Sequence, residues 1–264
     1  MAANCLRDES QIEYLQAMDN LLAFLAPALV YGYIFLLHIA LPGRWVQGYV
    51  TRPWSAEKLL YRLNGIWVLL AVILTWAALG YTGVMPWDWF YENRWYCLAG
   101  AVVTGLVFSF AMVLPHAPVK ASFLADFYLG RAENIQWLGG RVDAKMWLYL
   151  AGAVMLQLNV LSFVAHHVVL YGAEASPGIY LCAGLFTYFI VDYLTFENVH
   201  LYTYDIFAER VGFKLGWGCI AFYPFFYAVP LWSTVELPDP GTPTFMLVIS
   251  ALIFLVSWSL SRGA

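Results

Sequence analysis

The chain has 264 residues, 62% of them hydrophobic and 11% charged, with a net charge of −4. Charged residues make up about a quarter of an ordinary soluble domain, so this composition excludes a soluble fold, and the acidic balance leaves no basic face for nucleic acid. Four scattered cysteines (Cys5, Cys97, Cys182, Cys219) form no CxxC pair, so neither a disulfide framework nor a zinc site is expected.

Residues 1–20 carry Arg7, Asp8, Glu9, Glu13 and Asp19 ahead of any apolar core. That pattern predicts an amphipathic N-terminal segment rather than a signal peptide. From residue 21 to residue 264 the sequence reads as a single transmembrane helical domain. A bilayer-spanning helix needs about 20 mostly apolar residues. Seven segments qualify: Leu21–Leu41, Gly65–Met85, Trp95–Leu114, Met146–Tyr171, Gly178–Leu194, Phe213–Val235 and Thr244–Leu260. The expected fold class is all-α, a polytopic membrane protein of about seven transmembrane helices, because helices satisfy every backbone polar group inside lipid. Eleven of the 13 Lys and Arg fall on alternate loops of one side. The positive-inside rule then predicts an N-terminus outside or lumenal and a cytoplasmic C-terminus, in a bacterial inner membrane or the endoplasmic reticulum. Trp87, Trp89 and Trp95 are expected at the outer interface, Trp45 and Trp54 at the inner one. Gln157 and Asn159, inside the fourth span, are expected to bond across helices.

The densest group of ionisable residues lies between the fifth and sixth spans. Asp192, Glu197, Asp205 and Glu209 sit at or near a membrane boundary with His200, Tyr193, Tyr202 and Tyr204 among them. Ionisable groups at membrane depth are costly, and a functional site is the default reading for them. The alternative is structural: Asp192, Glu197 and Asp205 cap helices or pair with Arg210 or Lys214. The five histidines do not form the HxxxH and HxxHH boxes of membrane di-iron enzymes. On the predicted topology His166 and His167 lie on the opposite side from His116 and His200, so no metal or haem is expected.

The same stretch resembles the sterol reductases, the delta-14, delta-7 and delta-24(28) enzymes with the lamin B receptor as a relative. The matching residues are Asp192, Tyr193, Glu197, Leu201, Thr203, Tyr204, Asp205, Ile206, Gly212 and Phe213. Leu41-Pro42-Gly43, Tyr61-Arg62-Leu63-Asn64-Gly65, the loop from Phe127 through Arg131 to Asp143 and Lys145, and the final Arg262-Gly263-Ala264 are similar to further family segments in the same order. Within this match Asn64 reads as a helix N-cap and Gly65 as a close-packing point.

The resemblance implies a membrane-embedded, NADPH-dependent reduction of a sterol C=C bond. That reaction needs a proton on one carbon and a hydride on the other. The residues it points to for catalysis are Asp192, Glu197, Tyr188, Phe189 and Asp205. Tyr193, Tyr204 and Asn64 are expected to bind substrate, and Arg131, Lys145 and Arg262 to meet cofactor phosphates. The implied partners are membrane lipid or sterol, with a second polypeptide or membrane complex as a further option.

Two departures stand out. Ile135-Gln136 replaces the family's Pro-Arg, and Phe189 stands where the family places a tyrosine suited to donate a proton. The family also extends past the position of Ala264 with most of its NADPH pocket. The expected function is therefore the reductase or its N-terminal core. The alternative is a non-catalytic descendant that holds a lipid or pigment as a subunit of a membrane complex.

Overall fold

The computed structural model describes the backbone of residues 2–263 except Pro53 and Trp54, and side chains from Gln16 to Arg262. The expectations for Cys5, Trp54, Ala264 and the charged face of residues 1–15 lie outside the described residues. The chain opens with α1 (Ala2–Ala40), a hairpin of β1 (Arg44–Thr51) and β2 (Lys58–Leu63), and α2 (Gly65–Tyr81). A short α3 (Trp89–Glu92), the long α4 (Arg94–Val113) and α5 (Phe123–Leu129) follow. A two-residue strand pair, β3 (Gln136–Trp137) and β4 (Val142–Asp143), leads into α6 (Ala144–Tyr171) and α7 (Pro177–Thr195). The single turns α8 (Glu197–His200) and α9 (Tyr204–Phe207) precede α10 (Phe213–Trp217). That helix runs into a π-helical segment, Gly218–Phe226, then α11 (Val229–Trp232) and finally α12 (Thr244–Gly263).

Among the described residues six helical stretches are long and apolar enough to cross a membrane, and α2, with 17 residues, is a shorter apolar helix. The molecule is an all-α polytopic membrane protein. Helix α6 is its axis: 78% of its most apolar window is buried inside the protein, against none of the corresponding window in α12. Asp143 starts α6 by accepting hydrogen bonds from the Lys145 and Met146 amides, both at 3.1 Å, which satisfies donors that the first turn would otherwise leave open. Without a solvent-driven hydrophobic force inside lipid, helices associate through small residues that let backbones approach. Gly152 does this in α6: a Cβ there would stand 2.6 Å from the Cys219 carbonyl oxygen and 2.6 Å from the Tyr223 ring. Gln157 donates to Thr187 at 3.0 Å and Asn159 to the Pro224 carbonyl at 2.8 Å, the cross-helix bonds expected of both.

The loop after α1 contains structure that the span count does not reveal. β1 and β2 pair antiparallel, with Val46 opposite Tyr61 and Arg44 opposite Leu63. Leu59, Tyr61 and Leu63 alternate onto one face and bury against Val50, Met146, Leu201 and Ile206, the period-2 pattern of a half-buried hairpin. This small core seats α9 on the hairpin. A second clip joins the loop after α5 to the segment before α10. Gly130, at φ 93°, lies against Val211 and Gly212, where a side chain would collide with backbone, and the Val211 amide donates to the Ala132 carbonyl at 2.8 Å.

Candidate functional site

The ionisable residues singled out in the sequence do not form one constellation. They divide among three cavities at the hairpin end of the bundle. The first, of about 290 Å3, lies between α6, α7, α9 and the π-helical segment and is lined by Tyr149, Phe189, Tyr193, Asp205, Cys219 and Tyr223 among others. The Tyr149 hydroxyl donates to Asp205 Oδ2 at 2.6 Å. Tyr193 packs against the rings of Phe189, Tyr149 and Tyr223 at centroid distances of 5.9, 6.2 and 6.4 Å. His200 closes this group, 4.0 Å from Tyr193. Burial holds His200 below the ordinary histidine value, only partly offset by its bond to the Tyr193 carbonyl, so the ring is neutral at pH 7.

Asp192 belongs to the second cavity, with Tyr188, Trp258 and Arg262. Arg262 Nε donates to Asp192 Oδ2 at 3.0 Å, and Tyr188 packs edge-on against Phe254 and Trp258. Phe189 lines the first cavity and Asp192 the second. Three residues along α7 turn Asp192 far enough toward α12 to place it beside Arg262 rather than in the tyrosine cavity.

Glu197 lines the third cavity, beside Asn64 and Arg44. Its Oε2 accepts from the Gly65 amide at 2.9 Å, so Glu197 caps α2 from across the sequence. Asn64 makes no side-chain cap. Its side chain bonds His38 Nδ1 at 2.6 Å and the His38 and Leu41 carbonyls instead. Gly65 is a close-packing point against Glu197. Burial pushes the Glu197 carboxyl up to about 7, against the opposing pull of the Gly65 amide and Arg44. Tyr204 is exposed and touches Phe207, so it lines none of these cavities.

The three cations expected to meet cofactor phosphates are all engaged within the protein. Arg131 Nε donates to Asp126 Oδ2 at 2.9 Å and its Nη1 to the His116 carbonyl at 2.9 Å. Arg262 holds Asp192. Lys145 is 2% exposed, and its Nζ donates to the carbonyls of Asp205, Ile206 and Glu209 at 3.1, 2.6 and 2.6 Å. An ammonium has three donors, and here all three are spent. Lys145 therefore fixes the backbone that carries Asp205 and has no N–H left for a phosphate.

Sequence reasoning missed Tyr149, Tyr223 and Asp126. Tyr149 and Tyr223 sit inside apolar spans, where an aromatic is indistinguishable from core. The one available signal for Tyr223 was its neighbour Pro224, which lacks an amide and disrupts regular helix. At the opposite end of the bundle, Asp88 Oδ2 and Glu92 Oε1 approach His166 Nδ1 at 3.2 and 2.9 Å.

A helical membrane protein with a tyrosine-rich cavity, lined by a carboxylate whose backbone a buried lysine holds, is the class this arrangement defines. The ergosterol biosynthesis ERG4/ERG24 family profile matches residues 2–258, and the chain belongs to that family of sterol reductases. It is similar to the delta(14)-sterol reductase of Arabidopsis thaliana, with 26% identity over 94% of this chain and 70% of the relative. It is also similar to the delta(14)-sterol reductases of Dictyostelium discoideum, with 29% identity over 84% of this chain and 48% of the relative, and Methylotuvimicrobium alcaliphilum, with 27% identity over 86% and 54%. The chain thus spans about half the length of two of these relatives.

Proposed function

We propose that the protein reduces a C=C bond of a membrane sterol, with NADPH as the cofactor that family membership implies. The observation that carries this reading is the cavity between α6, α7 and the π-helical segment, where a tyrosine hydroxyl and a carboxylate share a proton beside apolar rings. Tyr149 Oη and Asp205 Oδ2 are the atoms that hold a proton there, and Phe189, Leu215 and Phe222 line the cavity around them. The Lys145 clip keeps the Asp205 backbone in register with Tyr149. The sterol reaches the cavity from the bilayer, and the hairpin end faces the cytoplasm. Because the relatives above are named for the C14 double bond, that bond is the first substrate feature to test.

The experiment is reduction of a Δ14-sterol by membranes containing the full chain, with NADPH, followed by mass spectrometry of the extracted sterols. Wild type should form the reduced sterol. Tyr149→Phe and Asp205→Asn should lower turnover by the roughly 10²–10⁴ typical of lost general-acid help. Phe189→Tyr, which adds a hydroxyl facing the same cavity, should raise it, and Tyr188→Phe should leave it unchanged. No product from wild type, with the protein folded in the membrane, would overturn the reductase reading in favour of the lipid-holding subunit.

A further inference from the structure

The π-helical segment Gly218–Phe226 brings one hydroxyl into the cavity that the reaction chemistry above does not use. A π-helix is rare, and short ones concentrate at functional sites. Here it extends over nine residues and includes Pro224. Two polar side chains from other helices catch its carbonyls. Tyr31 donates to Ile220 O at 2.5 Å and Asn159 to Pro224 O at 2.8 Å. The widened turn is therefore held on both sides, and it directs Tyr223 into the cavity beside Phe189 and Tyr193. The Tyr223 hydroxyl is buried and, among the described residues, has no hydrogen-bond partner. The neighbouring Tyr149 hydroxyl is already given to Asp205. A buried hydroxyl left unpaired is costly, and a fold that invests two cross-helix bonds in presenting one has a partner for it.

We propose that Tyr223 donates a hydrogen bond to the oxygen of the bound sterol, and so selects a hydroxylated polycyclic lipid over the corresponding hydrocarbon. The inference rests on the sterol reading of this cavity. Its volume of about 290 Å3 lies at the low end of the range for small-molecule pockets, roughly 300–1,000 Å3. The oxygen-bearing ring of a sterol-sized lipid sits at Tyr223, the reacting bond lies further along the ring system at Tyr149 and Asp205, and the side chain remains between helices in the bilayer. A sterol has a single polar atom, its ring hydroxyl. The end that gains from entering a cavity with an unpaired donor is the end that carries that oxygen. Sites built to hydrogen-bond an oxygen reject analogues that lack it, because the buried donor is again left unpaired.

The test compares binding of a 3-hydroxysterol and its 3-deoxy hydrocarbon counterpart to the full chain in detergent, by competition against a radiolabelled sterol. Wild type should prefer the hydroxylated compound by about tenfold, the scale of one buried hydrogen bond. Tyr223→Phe, which keeps the ring, should bind the two equally. Its melting temperature without sterol should equal or exceed that of wild type, since an unpaired buried hydroxyl has been removed. Equal preference for the hydroxylated compound in both proteins would overturn the assignment while leaving the sterol reading intact. So would a Tyr223→Phe variant that keeps the preference but loses turnover, because the hydroxyl would then sit at the reacting bond. If wild type binds neither compound, the sterol reading itself falls, and this assignment with it.

Discussion

Replacing Gly152 with alanine tests whether the contact between α6 and the π-helical segment sets the cavity. The new Cβ would stand 2.6 Å from both Cys219 O and the Tyr223 ring. Ordinary contact begins near 3.4 Å, so the two elements must separate by about 0.8 Å. The obstacle on one side is backbone, which cannot rotate away. Gly→Ala in a helix interior gains about 0.5–1 kcal/mol from lower chain entropy, whereas overpacking a filled interface costs about 1–3 kcal/mol. The expected net effect is a loss of about 1–2 kcal/mol. It should lower the melting temperature in detergent by a few degrees, on the order of 2–4 °C per kcal/mol for a chain of this size. Because the displaced segment walls the cavity that holds Tyr149 and Asp205, turnover should fall more than stability does, by roughly 10², the scale of a misplacement near 1 Å. Gly184 in α7 is the control: a Cβ there meets nothing within 4 Å, so Gly184→Ala should be neutral or stabilising. If Gly152→Ala melts at or above wild type with undiminished turnover, the close approach does not shape the cavity and the argument fails.

Three further outcomes follow from the same geometry. Lys145→Met leaves the Asp205, Ile206 and Glu209 carbonyls without their donor and should cost about 3 kcal/mol or more; thermal unfolding within 0.5 kcal/mol of wild type would contradict the clip. The Glu197 carboxyl, raised by burial to about 7 from an ordinary value of 4.5, binds a proton in the folded state that the unfolded chain has lost between those pH values. Its contribution to stability is complete below about pH 4.5 and is lost as pH rises to about 7. The size is about 3 kcal/mol at 1.36 kcal/mol per pH unit. Glu197→Gln should lose that slope, and unfolding curves that stay parallel for the two proteins from pH 4.5 to 8 would refute it. Finally, Asp239→Cys should react with an impermeant thiol reagent added outside the cell and Lys120→Cys should not. The reverse pattern would invert the proposed orientation.

Composition and hydrophobic run length were enough to determine the membrane class, the helical architecture and, with the ordered segments from Leu41 to Ala264, the family. They suffice because burial in lipid acts on stretches of about 20 residues, a length scale that a linear reading sees directly. The hairpin was in principle legible too, since Leu59, Tyr61 and Leu63 alternate with Lys58, Leu60 and Arg62; the charged residues between spans made it read as loop. What only the tertiary structure decided is which polar groups meet. Asp192, Glu197 and Asp205 lie within 14 residues of one another in sequence, yet they bond Arg262, the Gly65 amide and Tyr149, partners 70, 132 and 56 residues away. Glu197 rather than Asn64 caps α2, and Lys145 holds carbonyls rather than phosphates, because a buried charge takes whatever partner the packing of other helices brings to it. Tyr149 and Tyr223 passed for core residues for the same reason. A tyrosine's ring is accounted for by hydrophobicity, which sequence records, but its hydroxyl by a partner, which only the packed helices supply.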